Sequence, residues 1–249
     1  MNQHKFVNMA FCTAMVFFLI SCGGGGSEGK SNTGTTTSDT STETATTAPT
    51  PTNTSVTTPH NMMIAMHRVK DFAKWKASYD EHDSMRLANG VHSFIIGRGL
   101  LDSNMVFVVL KVDDVNRGKA FAKNPSLKQA MQKGGVVGPP IITFVTIVWH
   151  DTAMISTDLR SSTEFIVKDW DKWKKSFDSA MQSKTDNGLI PRAYGHDVDD
   201  NHKVNLSMAV SDTAKARTFW ESDQLKQIRS AGGVVSESQR FVYRVVQKY

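Results

Sequence analysis

The chain has 249 residues, 39% of them hydrophobic, and a formal net charge of +5. Two cysteines exclude a disulfide framework and a cysteine-built metal cluster, and a lone apolar run near the N-terminus excludes a multi-span membrane protein. The modest positive excess is spread along the chain, which does not point to nucleic acid as a partner.

Lys5 supplies a short positive region ahead of the mostly apolar stretch Phe6 to Ile20, and residues 1–21 read as a signal segment too short to span a bilayer comfortably. The segment ends in Leu19-Ile20-Ser21-Cys22, which resembles a bacterial lipobox. The resemblance implies cleavage before Cys22 and attachment of lipid to its sulfur, so the expected partner is a membrane and the expected location the cell envelope, at the outer membrane or periplasmic face. Cys12 lies in the segment to be removed, which leaves the mature chain without a free thiol. Residues 22–60 are dominated by Gly, Ser, Thr and Pro; they lack the apolar side chains that offset chain entropy and are expected to form a disordered tether.

The remainder is internally duplicated. Val69-Lys70-Asp71-Phe72-Ala73-Lys74-Trp75-Lys76 recurs 98 positions later as Val167-Lys168-Asp169-Trp170-Asp171-Lys172-Trp173-Lys174. At the same offset Asn89-Gly90 meets Asn187-Gly188, Gly97 meets Gly195, Phe121 meets Phe219, and Gly134-Gly135-Val136-Val137 meets Gly232-Gly233-Val234-Val235. A long, ungapped repeat divides the folding part into two similar units, residues 61–150 and 160–249.

The first unit opens with a short apolar strand, Met63 to Val69. Asp71 is suited to cap the helix that follows. On that helix Phe72, Trp75, Tyr79, His82 and Arg86 recur at spacings of three and four and share a face, before Asn89-Gly90 stops it. His92 to Leu100 alternates as a strand, Asp102-Ser103-Asn104 marks a turn, and Val106 to Val112 is the next strand. Asp114 caps a second helix, interrupted at Asn124-Pro125 and ended by Gly134-Gly135. Ile141 to Trp149 is the last strand. Strand–helix–strand–strand–helix–strand is the ferredoxin-like order, an α+β arrangement whose sheet leaves one apolar face in need of a cover. Two copies can cover each other, sheet to sheet, as one barrel with helices outside.

This organisation resembles the dimeric α+β barrel superfamily, which includes antibiotic-biosynthesis-monooxygenase-like proteins and haem-degrading monooxygenases. The likeness rests on the Lys-Asp-Phe-x-Lys-Trp helix start, Phe121, Asn124-Pro125-x-Leu127-Lys128 and Gly134 to Pro139, and it covers residues 61–249. It implies a monomer that closes its own pseudo-dimer and ligand pockets between helices and sheet. It brings over no catalytic residue, since no catalytic motif matches.

The candidate site follows from an asymmetry between the copies. The first helix face holds Trp75, Tyr79, His82 and Arg86; the second holds Trp173, Phe177, Ala180 and Lys184. His82 and Arg86, one turn apart, can converge on an anionic small molecule such as a carboxylate. They can equally act locally, Arg86 at the helix C-terminus and His82 on a carbonyl. His92, Phe94, Ile96 and Arg98 are expected on one face of the next strand, with Arg98 as a further polar contact. His67 follows strand alternation and faces either side. No cofactor or metal is expected: no zinc-like histidine pair occurs, and His196 to His202 does not match a calcium loop. The expected function is non-catalytic binding of a small ligand, with copy one carrying the pocket. The alternative is a cofactor-free monooxygenase or haem-handling enzyme, with His82 as nearest axial ligand.

Overall fold

The computed structural model describes residues 54–249; the signal segment, Cys22 and most of the tether lie outside the described residues. The first repeat runs β2 (His60–Val69), α1 (Phe72–Glu81), α2 (Asp83–Ala88), β3 (Val91–Gly99), β4 (Met105–Val112), α3 (Val115–Ala122), α4 (Pro125–Lys133) and β5 (Val136–Asp151), preceded by a two-residue strand β1 (Ser55–Val56). The second runs β6 (Leu159–Ile166), α5 (Trp170–Ser179), α6 (Met181–Asp186), β7 (Leu189–Asp197), β8 (Lys203–Val210), α7 (Thr213–Glu221), α8 (Asp223–Ala231) and β9 (Gln239–Lys248).

Four aspartates start four of these helices. Asp71, Asp114, Asp169 and Asp212 are each extended, and each side chain accepts from the N–H three residues on, at 2.6–3.0 Å. Each cap satisfies one of the orphan donors of the first turn. The long helix expected after Asp71 is two helices. At His82 the backbone leaves helical geometry (φ −99°, ψ 19°) and its N–H turns back to Tyr79 three residues earlier, and Ala180 does the same in the second repeat.

The strands form one antiparallel sheet in the order β1-β5-β2-β4-β3-β9-β6-β8-β7, and β5 also pairs with β7. That extra pairing closes an eight-stranded barrel, β1 adding only a short edge. Each repeat alone is a four-stranded sheet with β3 and β5, or β7 and β9, at its margins. The seams join the second strand of one repeat to the last strand of the other: Gly97 faces Val245 and Ile147 faces Gly195. The glycines at these equivalent places are required by close approach. A Cβ on Gly195 would stand 2.0 Å from the Thr146 carbonyl oxygen, and one on Gly97 would stand 2.2 Å from the Tyr243 ring.

Two departures from the sequence reading bear on the site. The tether gives way to structure before His60: Ser55 and Val56 pair with Asp151 and His150, taking up the otherwise open end of β5. β5 itself begins at Val136, not at Ile141. Pro139 and Pro140, without N–H donors, sit where the β2–β5 register slips between Met66 and Arg68, so the strand resumes beyond them by pairing Val137 with Arg68.

Among the described residues, three apolar clusters hold the fold. Trp75 and Phe121 pack on Val106, Val108 and Leu110 in the first repeat; Trp173, Phe177 and Phe219 pack on Val204 and Met208 in the second. Met62, Val145 and Ile147 fill the barrel interior with Phe94 and Val109. Aromatic rings cross the seams, since Trp149 at the end of β5 stacks on Tyr194 of the second repeat at 5.4 Å.

Candidate functional site

Between the helices and the sheet of the first repeat lies a cavity of about 70 Å³, space for several waters or a small organic fragment. Trp75, Tyr79, His82 and Arg86 all line it, and so does His67 from β2. Their backbone explains the convergence: the four helix residues lie on the face packed against the sheet, while His67 sits at the slip in the β2–β5 ladder opposite Pro139 and Pro140.

Arg98 does not join them. Its guanidinium lies over the Phe72 ring at 4.3 Å and its Nε–H donates to the Ser103 carbonyl at 2.7 Å. The shared face expected for His92, Phe94, Ile96 and Arg98 is broken by a register shift between Ser93 and Ile95. Phe94 consequently points into the barrel cluster, Ile96 into the helix-side core, and His92 pairs with Asp113 at 2.9 Å.

Arg86 and His82 are already engaged. Arg86 is buried; it donates from Nη1 to the Tyr79 carbonyl at 2.6 Å and from Nη2 to Asp83 at 2.9 Å, and it lies 3.7 Å over the Tyr79 ring. Its charge is paired with Asp83 through Nη2, while its buried Nε–H has no partner. His82 Nδ1–H donates to the Ser78 carbonyl at 2.6 Å. Tyr79 shares a hydrogen bond of 2.7 Å with Ser93, and burial pushes its phenol above the ordinary tyrosine value in spite of the Arg86 charge, so it remains protonated.

His67 is unengaged at both ring nitrogens. It is 5% exposed, packs 5.5 Å from Trp75, and neither ring nitrogen has a hydrogen-bond partner. Burial lowers its pKa to about 4, so at neutral pH the ring is uncharged, with one donor and one acceptor presented in an apolar cavity. A buried unpaired polar group costs about 1–3 kcal/mol, and a ligand offering the complementary pair would recover that. The equivalent residue in the second repeat is Phe165.

The second repeat has a cavity of the same size at the same place, lined by Trp173, Phe177, Lys184 and Phe219. Copy one is therefore not the sole carrier of a pocket. Where the first cavity has Met131 and Ile142, this one has Arg229 and Arg240.

The residues present do not fit a haem. Several waters' worth of space, walled by Leu127, Ala130 and Met131, does not take a porphyrin. Among the described residues no group of three or more His, Cys, Asp or Glu side chains could hold a metal ion, and no helix is long and apolar enough to cross a membrane. The turn from His196 to His202 is held by Asx-type bonds and by Lys119 reaching Asp199 at 2.6 Å.

No protein-family model matches the sequence, and no curated protein matches it. Solved structures match in fold. A candidate monooxygenase from Fusobacterium nucleatum subsp. nucleatum has a TM-score of 0.51 and 13% identity over 76% of this chain and 93% of its own. An anthrone oxidase-like protein gives 0.51 and 13% over 76% and 92%. A candidate chlorite dismutase gives 0.51 and 12% over 76% and 95%. At such identities the likeness is one of architecture: the chain shares the α+β-barrel fold of these structures.

Proposed function

We propose that this chain is a lipid-anchored protein of the cell envelope whose first repeat binds a small, neutral, largely apolar molecule without transforming it. The observation that carries the reading is His67, buried with both ring nitrogens unpaired on the wall of a cavity. A neutral imidazole selects a ligand with a hydroxyl or amide on an apolar body, because such a group can serve as donor and acceptor at once. Arg86 is paired with Asp83, and its unpartnered buried Nε–H is a further donor that an oxygen of such a ligand can accept from. The anchor rests on Leu19-Ile20-Ser21-Cys22, whose sulfur would take the lipid.

The test is calorimetric titration of the purified full-length chain with phenol and benzyl alcohol, repeated with His67→Phe, the residue the second repeat uses. Binding to the parent that weakens about tenfold or more in the variant supports the reading. Equal affinity in both proteins, or no binding to the parent, removes it. Retention of the protein in the membrane fraction, abolished by Cys22→Ala, tests the anchor separately.

A cofactor-free monooxygenase is the second reading, favoured by the barrel shared with the candidate monooxygenase and the anthrone oxidase-like protein and by Tyr79 and Trp75 on the same cavity wall. Oxygen uptake by the full-length chain in the presence of anthrone would favour it; unchanged oxygen would set it aside.

A further inference from the structure

The two cavities have the same size and equivalent positions and differ in charge: the first is lined by one cation, Arg86, paired with Asp83, and the second by three. In the second repeat β6 contributes Ser161 and Thr163, β9 contributes Arg240 directly across the ladder from Thr163, α6 contributes Lys184 and α8 contributes Arg229. Three cations therefore line one small space, and no carboxylate lines it. Their existing bonds leave charge uncompensated. Lys184 is 5% exposed and donates only to the Phe177 and Ala180 carbonyls, at 3.4 and 3.1 Å. Arg229 donates to the Ser236 carbonyl at 2.7 Å. Arg240 stacks 4.4 Å over the Trp220 ring, and its buried Nε has no partner. The neighbouring acid, Asp178, is taken by Lys174 and Tyr194. Ser161, 1% exposed, has an unpaired hydroxyl on the same wall.

We propose that the second repeat's cavity is a separate binding site for a small organic carboxylate, its head held by Arg229, Arg240 and Lys184 with a hydrogen bond from Ser161. The apolar body lies against Phe219 and Leu225, which line the same space. A buried carboxylate satisfies cations that a neutral ligand leaves uncompensated, and paired guanidinium groups match its planar geometry. Desolvation works in the same sense: burial brings Lys184 down to about 8, and burial together with the Arg229 charge lowers Arg240, so both are groups that a bound anion would relieve. The internal repeat supplies matched controls, because the first cavity carries Met131 and Ile142 at the places of Arg229 and Arg240 and remains packed with them.

The experiment is titration of the full-length chain with benzoate, benzamide and inorganic phosphate at two salt concentrations, for the parent and for Arg229→Met, Arg240→Ile and His67→Phe. In the His67→Phe protein, whose first cavity has lost the imidazole that favours amides, benzoate should bind with an affinity that falls with salt, and at least about tenfold tighter than benzamide. Each arginine variant should lose about tenfold or more in benzoate affinity. His67→Phe should leave it unchanged, which separates this site from the one in the first repeat. Thermal melts establish that each variant is folded; should one fail, the other decides together with Lys184→Arg, which keeps the charge and should retain binding. Benzoate binding equal in parent and arginine variants, or absent from the parent, overturns the proposal. Phosphate binding as tightly as benzoate overturns the carboxylate with an apolar body.

Discussion

His67 and Phe165 occupy the same position on equivalent strands, 98 residues apart, each against the tryptophan of its own helix: His67 lies 5.5 Å from Trp75 and Phe165 lies 5.7 Å from Trp173. One exchange thus converts a hydrocarbon wall into a polar one within otherwise similar packing. It implies that the first repeat gives up stability for the imidazole, since neither nitrogen is satisfied.

Replacing His67 with Phe should raise stability at pH 7 by about 1 kcal/mol, the order of penalty carried by an unpaired buried polar group. Urea denaturation of parent and variant measures the difference; a loss of stability would mean that the ring nitrogens have partners in solution.

The same pair predicts a pH effect. The unfolded imidazole takes up a proton near 6.5, whereas the buried one does so only near 4. Protons therefore favour the unfolded chain between these values, and stability falls as pH drops through that window, by about 3 kcal/mol in total from this residue. The gap between parent and His67→Phe should widen from pH 7 to pH 4.5, read as the difference between their denaturation midpoints.

Gly195 and Gly97 guard the two seams. Gly195→Ala drives a methyl into the Thr146 carbonyl of β5, a backbone atom, so the β5–β7 seam must part; the cost should be about 3 kcal/mol or more. Gly97→Ala meets the Tyr243 ring, also a core group, and should destabilise as well. Hydrogen exchange localises the damage: Gly195→Ala should expose amides at Val145 to His150 before those of β4.

The helix caps give a smaller, additive effect. Asp71→Ala and Asp169→Ala should each cost about 1 kcal/mol, and the double variant about twice that, because the caps lie in different repeats. Denaturation of the two single variants and the double variant checks both magnitudes and their sum.

The duplication and the element order were legible because they reside in local signals: aspartate caps, paired glycine stops and an ungapped repeat. The helix side of the first cavity was legible too, since Trp75, Tyr79, His82 and Arg86 follow helical spacing. The sheet side was not. The contacts of His67 depend on a slip in the ladder set by Pro139 and Pro140, more than seventy residues away, and a shift at Phe94 broke the alternation that would have put Arg98 beside them. The charge of the second cavity was visible only by aligning Arg229 with Met131 and Arg240 with Ile142. Those positions lie on α8 and β9, outside the helix face that carries Trp173, Phe177 and Lys184, and only the topology brings them to Lys184.

The closed order of the sheet has a consequence for the chain as it is made. A chain extended only to Asp151 has four long strands beside the short β1, with β3 and β5 at the margins, two unsatisfied hydrogen-bonding edges that await β9 and β7. Nothing in those edges distinguishes the missing half of the same chain from the corresponding strand of another molecule. Truncated first halves are thus natural partners for one another, and a dimer with β3 of one copy against β5 of the other is the form in which such fragments should accumulate.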